Sequence, residues 1–184
     1  SVLFGDVNPS GKLPLTFPVD DKQVPANTPL QYPGEDNESM YSEKLLVGYR
    51  WYDANNEEPL FPFGFGLSYT TFTYSNLIIT QNNLLQTARI SVDIGNDGLV
   101  LGAEVVQLYL GFPSKTAEPP KILKGFHKVE LIPGSTKTVT FNLLRRDLSI
   151  WDTTTHDWKV EHGEYRVFIG SSSRNIHLVD SFAL

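Results

Sequence analysis

The sequence predicts a mainly β fold, a seven-stranded two-sheet sandwich preceded by an irregular segment. Three observations predict it: apolar and polar residues alternate with period two in short runs from Tyr69 onward, turn residues separate those runs, and eight of the twelve prolines fall within residues 1–68. Alternation at period two puts every second side chain on one face, which is the pattern of a half-buried strand. Proline lacks an amide donor and restricts the residue before it, so long helices and central strands are excluded over much of the first segment.

In chain order, the first segment supports a single short helix from Met40 to Trp51. It would place Tyr41, Leu45 and either Gly48 or Tyr49 on one face, with Ser39 or Ser42 as its cap. So few periodic apolar positions cannot build a core, and the segment must pack against something else. The strands follow at residues 72–80, 88–94, 104–112, 122–131, 136–144, 164–170 and 176–182. In the second run Ala88, Ile90, Val92 and Ile94 alternate with Arg89, Ser91 and Asp93, and Asn96-Asp97-Gly98 then supplies residues that tolerate a turn. Pro133-Gly134 separates the fourth run from the fifth, where Val139, Phe141 and Leu143 point inward. Tyr109, Phe126, Phe141, Tyr165 and Phe168 fall in patterns that bury them. Tyr165, at the start of the sixth run, is placed to tie the preceding corner to the backbone through its hydroxyl.

Length and charge narrow the function. A chain of 184 residues with 40% hydrophobic residues is globular and forms one domain, or one domain with a fragment of another. The opening at Ser1, without methionine or a targeting segment, is expected of a piece of something longer. Its apolar runs are shorter than the roughly 18–20 residues of a membrane span, so no membrane partner is expected. A net charge of −6 without a basic cluster argues against nucleic acid. The absence of cysteine rules out thiolate chemistry and cysteine-based zinc sites.

Residues able to carry chemistry are present but poorly arranged for it. A glycosidase needs two carboxylates aimed at one bond. The acidic groups Asp20-Asp21, Glu35-Asp36 with Glu38, and Glu57-Glu58 lie instead in polar or Pro/Gly-flanked stretches that read as solvated loops. His156, Asp157, Glu161 and His162 would meet across a hairpin only in a favourable register, and none of the four histidines has the close helical spacing of a metal site. Ser171-Ser172-Ser173 reads as a turn without a nucleophile elbow. Phe63-Gly64-Phe65-Gly66-Leu67 lacks the strand before and helix after that a phosphate cradle requires. No metal or cofactor is expected. The aromatic groups Tyr49, Trp51, Tyr52, Phe61, Phe63 and Phe65, with Arg50 among them, crowd a region that has no core of its own. They form an interface to another domain, a sugar-stacking platform, or a small core closed against the sandwich.

Several stretches resemble the C-terminal part of glycoside hydrolase family 3 β-glucosidases and β-xylosidases. They are Gly5-Asp6-Val7-Asn8-Pro9-Ser10-Gly11-Lys12-Leu13-Pro14, Leu46-Val47-Gly48-Tyr49-Arg50-Trp51-Tyr52-Asp53, and Pro59-Leu60-Phe61-Pro62-Phe63-Gly64-Phe65-Gly66-Leu67-Ser68-Tyr69. In the strand region they continue with Gly102-Ala103-Glu104-Val105-Val106-Gln107-Leu108-Tyr109, Leu123-Lys124-Gly125-Phe126, Arg146-Asp147-Leu148-Ser149-Ile150-Trp151-Asp152, and Gly163-Glu164-Tyr165 through Gly170-Ser171-Ser172-Ser173-Arg174. The series follows the family's order along essentially the whole chain.

The resemblance implies that residues 1–68 are the C-terminal part of an α/β sandwich domain with its linker. Residues 69–184 would be an immunoglobulin-like, fibronectin type III-like β-sandwich. It also implies a retaining mechanism for the complete enzyme on terminal β-D-glucosyl residues. The nucleophile would sit in an N-terminal barrel domain and the acid/base carboxylate earlier in the chain. No catalytic residue is therefore expected here, and no substrate-binding residue is assigned. The expected role is to stabilise and position the catalytic domains, with Tyr49, Trp51, Tyr52, Phe61 and Phe63 as inter-domain packing residues. The partners would be the remaining N-terminal domains of the same enzyme, and through them a β-glucoside or oligosaccharide. The expected setting is extracellular or periplasmic, and Asn37-Glu38-Ser39 is the one glycosylation sequon. The alternative is a carbohydrate-binding or adhesion-type sandwich module, for which Trp151 and Trp158, flanking the polar hairpin Asp152 to Asp157, are the residues to test.

Overall fold

A computed structural model describes all of residues 1–184. The strands are β1 (Phe72–Asn82), β2 (Thr87–Asn96), β3 (Gly102–Gly111), β4 (Ile122–Leu131), β5 (Thr136–Leu143), β6 (Ser149–Asp152), β7 (Asp157–Val160), β8 (Glu164–Gly170) and β9 (Ile176–Ala183). Seven of them form the sandwich: a sheet in the order β1-β2-β5 faces a sheet in the order β4-β3-β8-β9. The remaining two, β6 and β7, pair only with each other. All pairings are antiparallel, and this lets one face of each sheet turn to the core while the other meets water or another layer. No helix is long and apolar enough to cross a membrane.

Period-two alternation supplies the core. Ile90, Val92 and Ile94 of β2 and Val139, Phe141 and Leu143 of β5 lie in register, with Ile90 opposite Phe141 and Val92 opposite Val139. These side chains meet Val106, Leu108 and Leu110 of β3 and Tyr165, Val167 and Ile169 of β8 in one buried cluster. The Tyr165 ring is fully buried, and its hydroxyl donates toward the carbonyls of Leu148 (3.0 Å) and Glu161 (2.8 Å), pinning the β6–β7 hairpin to the sandwich. Burial pushes this phenol up to about 12.

Strand β3 is buried along both faces. Val106, Leu108 and Leu110 face the core, whereas Gln107 and Tyr109 face the first segment, so the strand reads as an almost continuous apolar run.

Two expectations need correction. The helix is not at 40–51: helix α1 spans Tyr49–Asn55. Lys44 (φ 52°) and Gly48 (φ 56°) both adopt positive φ, which breaks the right-handed path before Tyr49. Phe126 is 70% exposed rather than buried, because edge strand β4 has no outer neighbour on its side.

Candidate functional site

The concentration of buried charge and shared hydrogen bonds lies on the seam where residues 1–69 cross the outer face of β3, β4 and the β8–β9 turn. Two runs of the first segment pair before they reach it. Leu13 N donates to Phe65 O, Gly64 N donates to Leu13 O (both 2.8 Å), and Phe17 and Phe61 form an isolated antiparallel bridge. Prolines flank both runs, so the pairing remains a short ladder.

Gln107 is the first lock. Its amide nitrogen donates to Gly64 O (3.2 Å) and Ser171 O (2.7 Å), while its carbonyl oxygen accepts from the Tyr109 hydroxyl (2.5 Å). Gly64 has φ 82°, and a Cβ there would lie 2.2 Å from Gln107 Oε1, so only glycine lets the backbone approach this closely. Ser173 N donates to Phe63 O (2.8 Å) beside it.

Aromatic contacts form the second lock. The Tyr49 ring stacks on Phe63 (centroids 4.9 Å apart, planes at 28°) and meets Tyr109 edge-on (5.7 Å, 77°), and its hydroxyl accepts from Leu123 N (2.8 Å). Burial raises the pKa of Tyr49, opposed by the Leu123 amide, and burial likewise raises that of Tyr109.

The third lock is ionic. Asp53, on the last turn of α1, has a side chain only 4% exposed. One carboxylate oxygen receives Lys121 Nζ at 2.5 Å, and the other lies 3.6 Å from Arg174 Nε. Arg174 also donates to the carbonyls of Tyr52 (3.3 Å) and Glu57, tying the end of α1 to the β8–β9 turn. Lys12 and Glu104 form a second nearly buried pair at 2.8 Å. With each oxygen facing a cation, Asp53 holds three elements together. Asn8 completes the seam: its Oδ1 accepts from Tyr69 N (2.8 Å) and Ser68 Oγ (3.0 Å), and its Nδ2 donates to Leu101 O (2.9 Å).

The five aromatics singled out in the sequence lie in three places. Tyr49 and Phe63 stand in the seam itself. Tyr52 is 3% exposed and its hydroxyl donates to Gln23 O, closing the first segment on itself, and Trp51 packs edge-on against Tyr52 (5.1 Å, 85°). Phe61 instead joins Phe17 (6.2 Å) and Phe65 (5.1 Å) in the wall of an open apolar groove of about 870 Å³, which Val2, Leu13 and Leu67 also line. Sequence reasoning missed the polar half of the seam, namely Lys12, Asp53, Glu104, Gln107, Lys121 and Arg174. The one local sign of it was β3, where Glu104 and Gln107 interrupt an otherwise apolar run of the kind that marks a strand covered on both faces.

The acidic loops serve local structure. Asp20 accepts from the backbone of Lys22 and Gln23, Glu57 accepts from Gln23, and Glu35 and Glu38 bridge through their backbones. Glu161 is engaged by Lys115 and Lys159, and His156 lies edge-on to Trp151. Ser171 Oγ accepts from Asn175 and sits 3.3 Å from His177 Nε2 within its turn.

Comparison with known proteins finds two family matches along the chain. Residues 1–69 match the glycosyl hydrolase family 3 C-terminal domain, and residues 104–173 match a fibronectin type III-like domain. Thermostable beta-glucosidase B of Acetivibrio thermocellus is 49% identical over 183 residues, which is 98% of this chain and 24% of that protein. A probable beta-glucosidase D of Aspergillus flavus is 41% identical over 201 residues, which is 100% of this chain and 26% of that protein. Among solved structures, DesR, a beta-glucosidase from Streptomyces venezuelae, superposes with a TM-score of 0.93 at 42% identity, over 100% of this chain and 24% of that one. The Bifidobacterium adolescentis GH3 beta-glucosidase superposes with a TM-score of 0.92 at 39% identity, over 100% of this chain and 27% of that one. The chain thus spans about a quarter of the length of the relatives it matches.

Proposed function

Because the chain belongs to the C-terminal region of glycoside hydrolase family 3, we propose that it is the non-catalytic C-terminal part of a retaining β-glucosidase. Its role is to stabilise the catalytic domains and hold them in position. The whole enzyme would hydrolyse terminal β-D-glucosyl residues through a covalent intermediate, with both catalytic carboxylates on domains preceding this region. Its partners are those N-terminal domains, and the boundary near residue 69 separates the part that completes their α/β sandwich from the terminal β-sandwich.

One observation carries this reading: the first segment is locked to the β-sandwich on one side and leaves an apolar groove open on the other. Asp53, Lys121 and Arg174 join α1 to both the entry of β4 and the β8–β9 turn, so the segment is held to the sandwich at two points. The groove walled by Phe17, Phe61 and Phe65 is a surface for the rest of the α/β sandwich domain to cover. A rigid brace matters to such an enzyme because small misplacements of paired catalytic groups lower the rate steeply.

The test is made on the 184-residue chain and on the full enzyme. Alone, the chain should show no turnover of p-nitrophenyl β-glucoside. In the full enzyme, Asp53→Ala should lower the thermal midpoint and kcat together. Unchanged values of both would remove the bracing role, and turnover by the chain alone would place a working carboxylate pair within it.

A further inference from the structure

We propose that the open face of Trp151, at the tip of the β6–β7 hairpin, is an accessory binding site for a glucosyl ring of a β-linked oligosaccharide. The two tryptophans of this hairpin are covered unequally. Trp151 and Trp158 stand directly opposite each other in the β6–β7 register, their ring centroids 5.4 Å apart at 61°. The Arg146 guanidinium lies 3.2 Å from the Trp158 centroid and covers that ring, so Trp158 serves to hold the hairpin. Trp151 remains 46% exposed, with His156 edge-on to it at 6.5 Å and no guanidinium over its face.

Rigid support lies below the exposed ring. A two-stranded hairpin is marginal in isolation, but this one has Leu148, Ser149 and Val160 buried at its base and the Tyr165 hydroxyl tied to both of its shoulders. Beside Trp151 opens a cleft of about 280 Å³ lined by Lys115, Thr116, Asp152, Thr153 and Glu161. Lys159 and Lys115 hold the Glu161 carboxyl below its ordinary range, and the Thr154 amide does the same for Asp152, so both acceptors are ionised at neutral pH. A flat apolar ring edged by carboxylates, hydroxyls and ammonium groups complements a β-glucosyl unit, which carries C–H groups on its faces and hydroxyls around its equator. An aliphatic or purely anionic ligand would use only half of this arrangement.

Choosing glucose among sugars rests on the proposed β-glucosidase reading, whereas the stacking site itself does not. The experiment is gel retardation of the 184-residue chain on soluble β-glucan, with tryptophan fluorescence titrated by cellotetraose. Wild type should be retarded and its fluorescence should saturate. Trp151→Ala should weaken binding by about tenfold or more, while Trp151→Tyr stays within a few-fold, since it keeps a flat ring. Glu161→Gln leaves the tryptophan pair intact and should weaken binding several-fold even if Trp151→Ala disturbs the hairpin. Absence of retardation in wild type, or binding by Trp151→Ala and Glu161→Gln as tight as that of wild type, would overturn the proposal. The bracing role is read separately, from the thermal midpoint and kcat of the full enzyme carrying Asp53→Ala.

Discussion

The two regions of this molecule solve the burial problem in opposite ways. Residues 72–184 bury their apolar side chains against each other across two sheets, while the first 71 residues contribute only Tyr52, Pro59, Gly64 and Thr70 to the 35 buried residues. The first region is nearly as apolar, yet Leu3, Phe4, Leu15, Tyr32, Tyr41 and Leu67 lie exposed on it. It owes its place to directional polar contacts with a neighbour that is already folded. A period-two pattern carries its own partner, whereas a proline-rich aromatic segment needs one supplied.

The largest effect that would break this contrast is in the core. Leu108→Ala, at a fully buried position, should cost about 3–4 kcal/mol in urea denaturation. A smaller loss there than for any substitution in the first segment would contradict the contrast. Asp53→Asn should rank next, because removing one partner of a buried ion pair costs about 3 kcal/mol or more. That loss should appear as faster hydrogen exchange in α1 with the β2–β5 amides still protected. Equal exchange in both regions would mean that the seam and the core open as one unit. A double-mutant cycle with Lys121→Met should recover part of the loss, since the Lys121 ammonium is then no longer left unpaired and Arg174 keeps the carbonyls of Tyr52 and Glu57.

Tyr165→Phe comes below these, at about 1–2 kcal/mol, from the loss of hydrogen bonds to Leu148 O and Glu161 O. The pH effect is smaller. His177 stacks on Tyr74 at 4.0 Å, and burial lowers its pKa below the ordinary 6.5, with Lys12 adding to the shift and Glu104 opposing it. The unfolded chain then binds the proton more readily than the folded one, so stability should be intact above pH 6.5 and fall as pH drops through the folded value. Thermal midpoints of wild type and His177→Gln across that window should converge at low pH. Smallest of all, Phe61→Ala in this chain should cost less than about 1 kcal/mol, since its ring is already 39% exposed in the groove wall. A much larger loss would show that the groove belongs to a core.

Much of the sandwich was legible along the chain because strand faces are set by neighbours two residues apart. Ala88, Ile90, Val92 and Ile94 declare their inward face without knowledge of Val139 or Leu108, and Tyr165 declares a corner by its place at a strand start. The helix was misplaced because apolar spacing near Tyr41 and Leu45 resembles a helical face, whereas the backbone at Lys44 and Gly48 takes positive φ. Lysine carries no sign of that in sequence. Phe126 was misjudged for a related reason: alternation gives the face of a strand but does not say whether anything covers it.

By itself, the sequence determined the class of fold, the seven sandwich strands, most of their inward residues and the resemblance that relates the chain to a larger family. Tertiary structure alone decided the seam. Asp53, Lys121 and Arg174 are far apart in the chain and belong to a helix, a strand entry and a turn, and nothing periodic links them. The physical reason is range: a hydrophobic pattern is repeated within one element and survives small errors of position. A buried carboxylate shared by two cations exists only once three separate backbones are held within a few ångströms of one another.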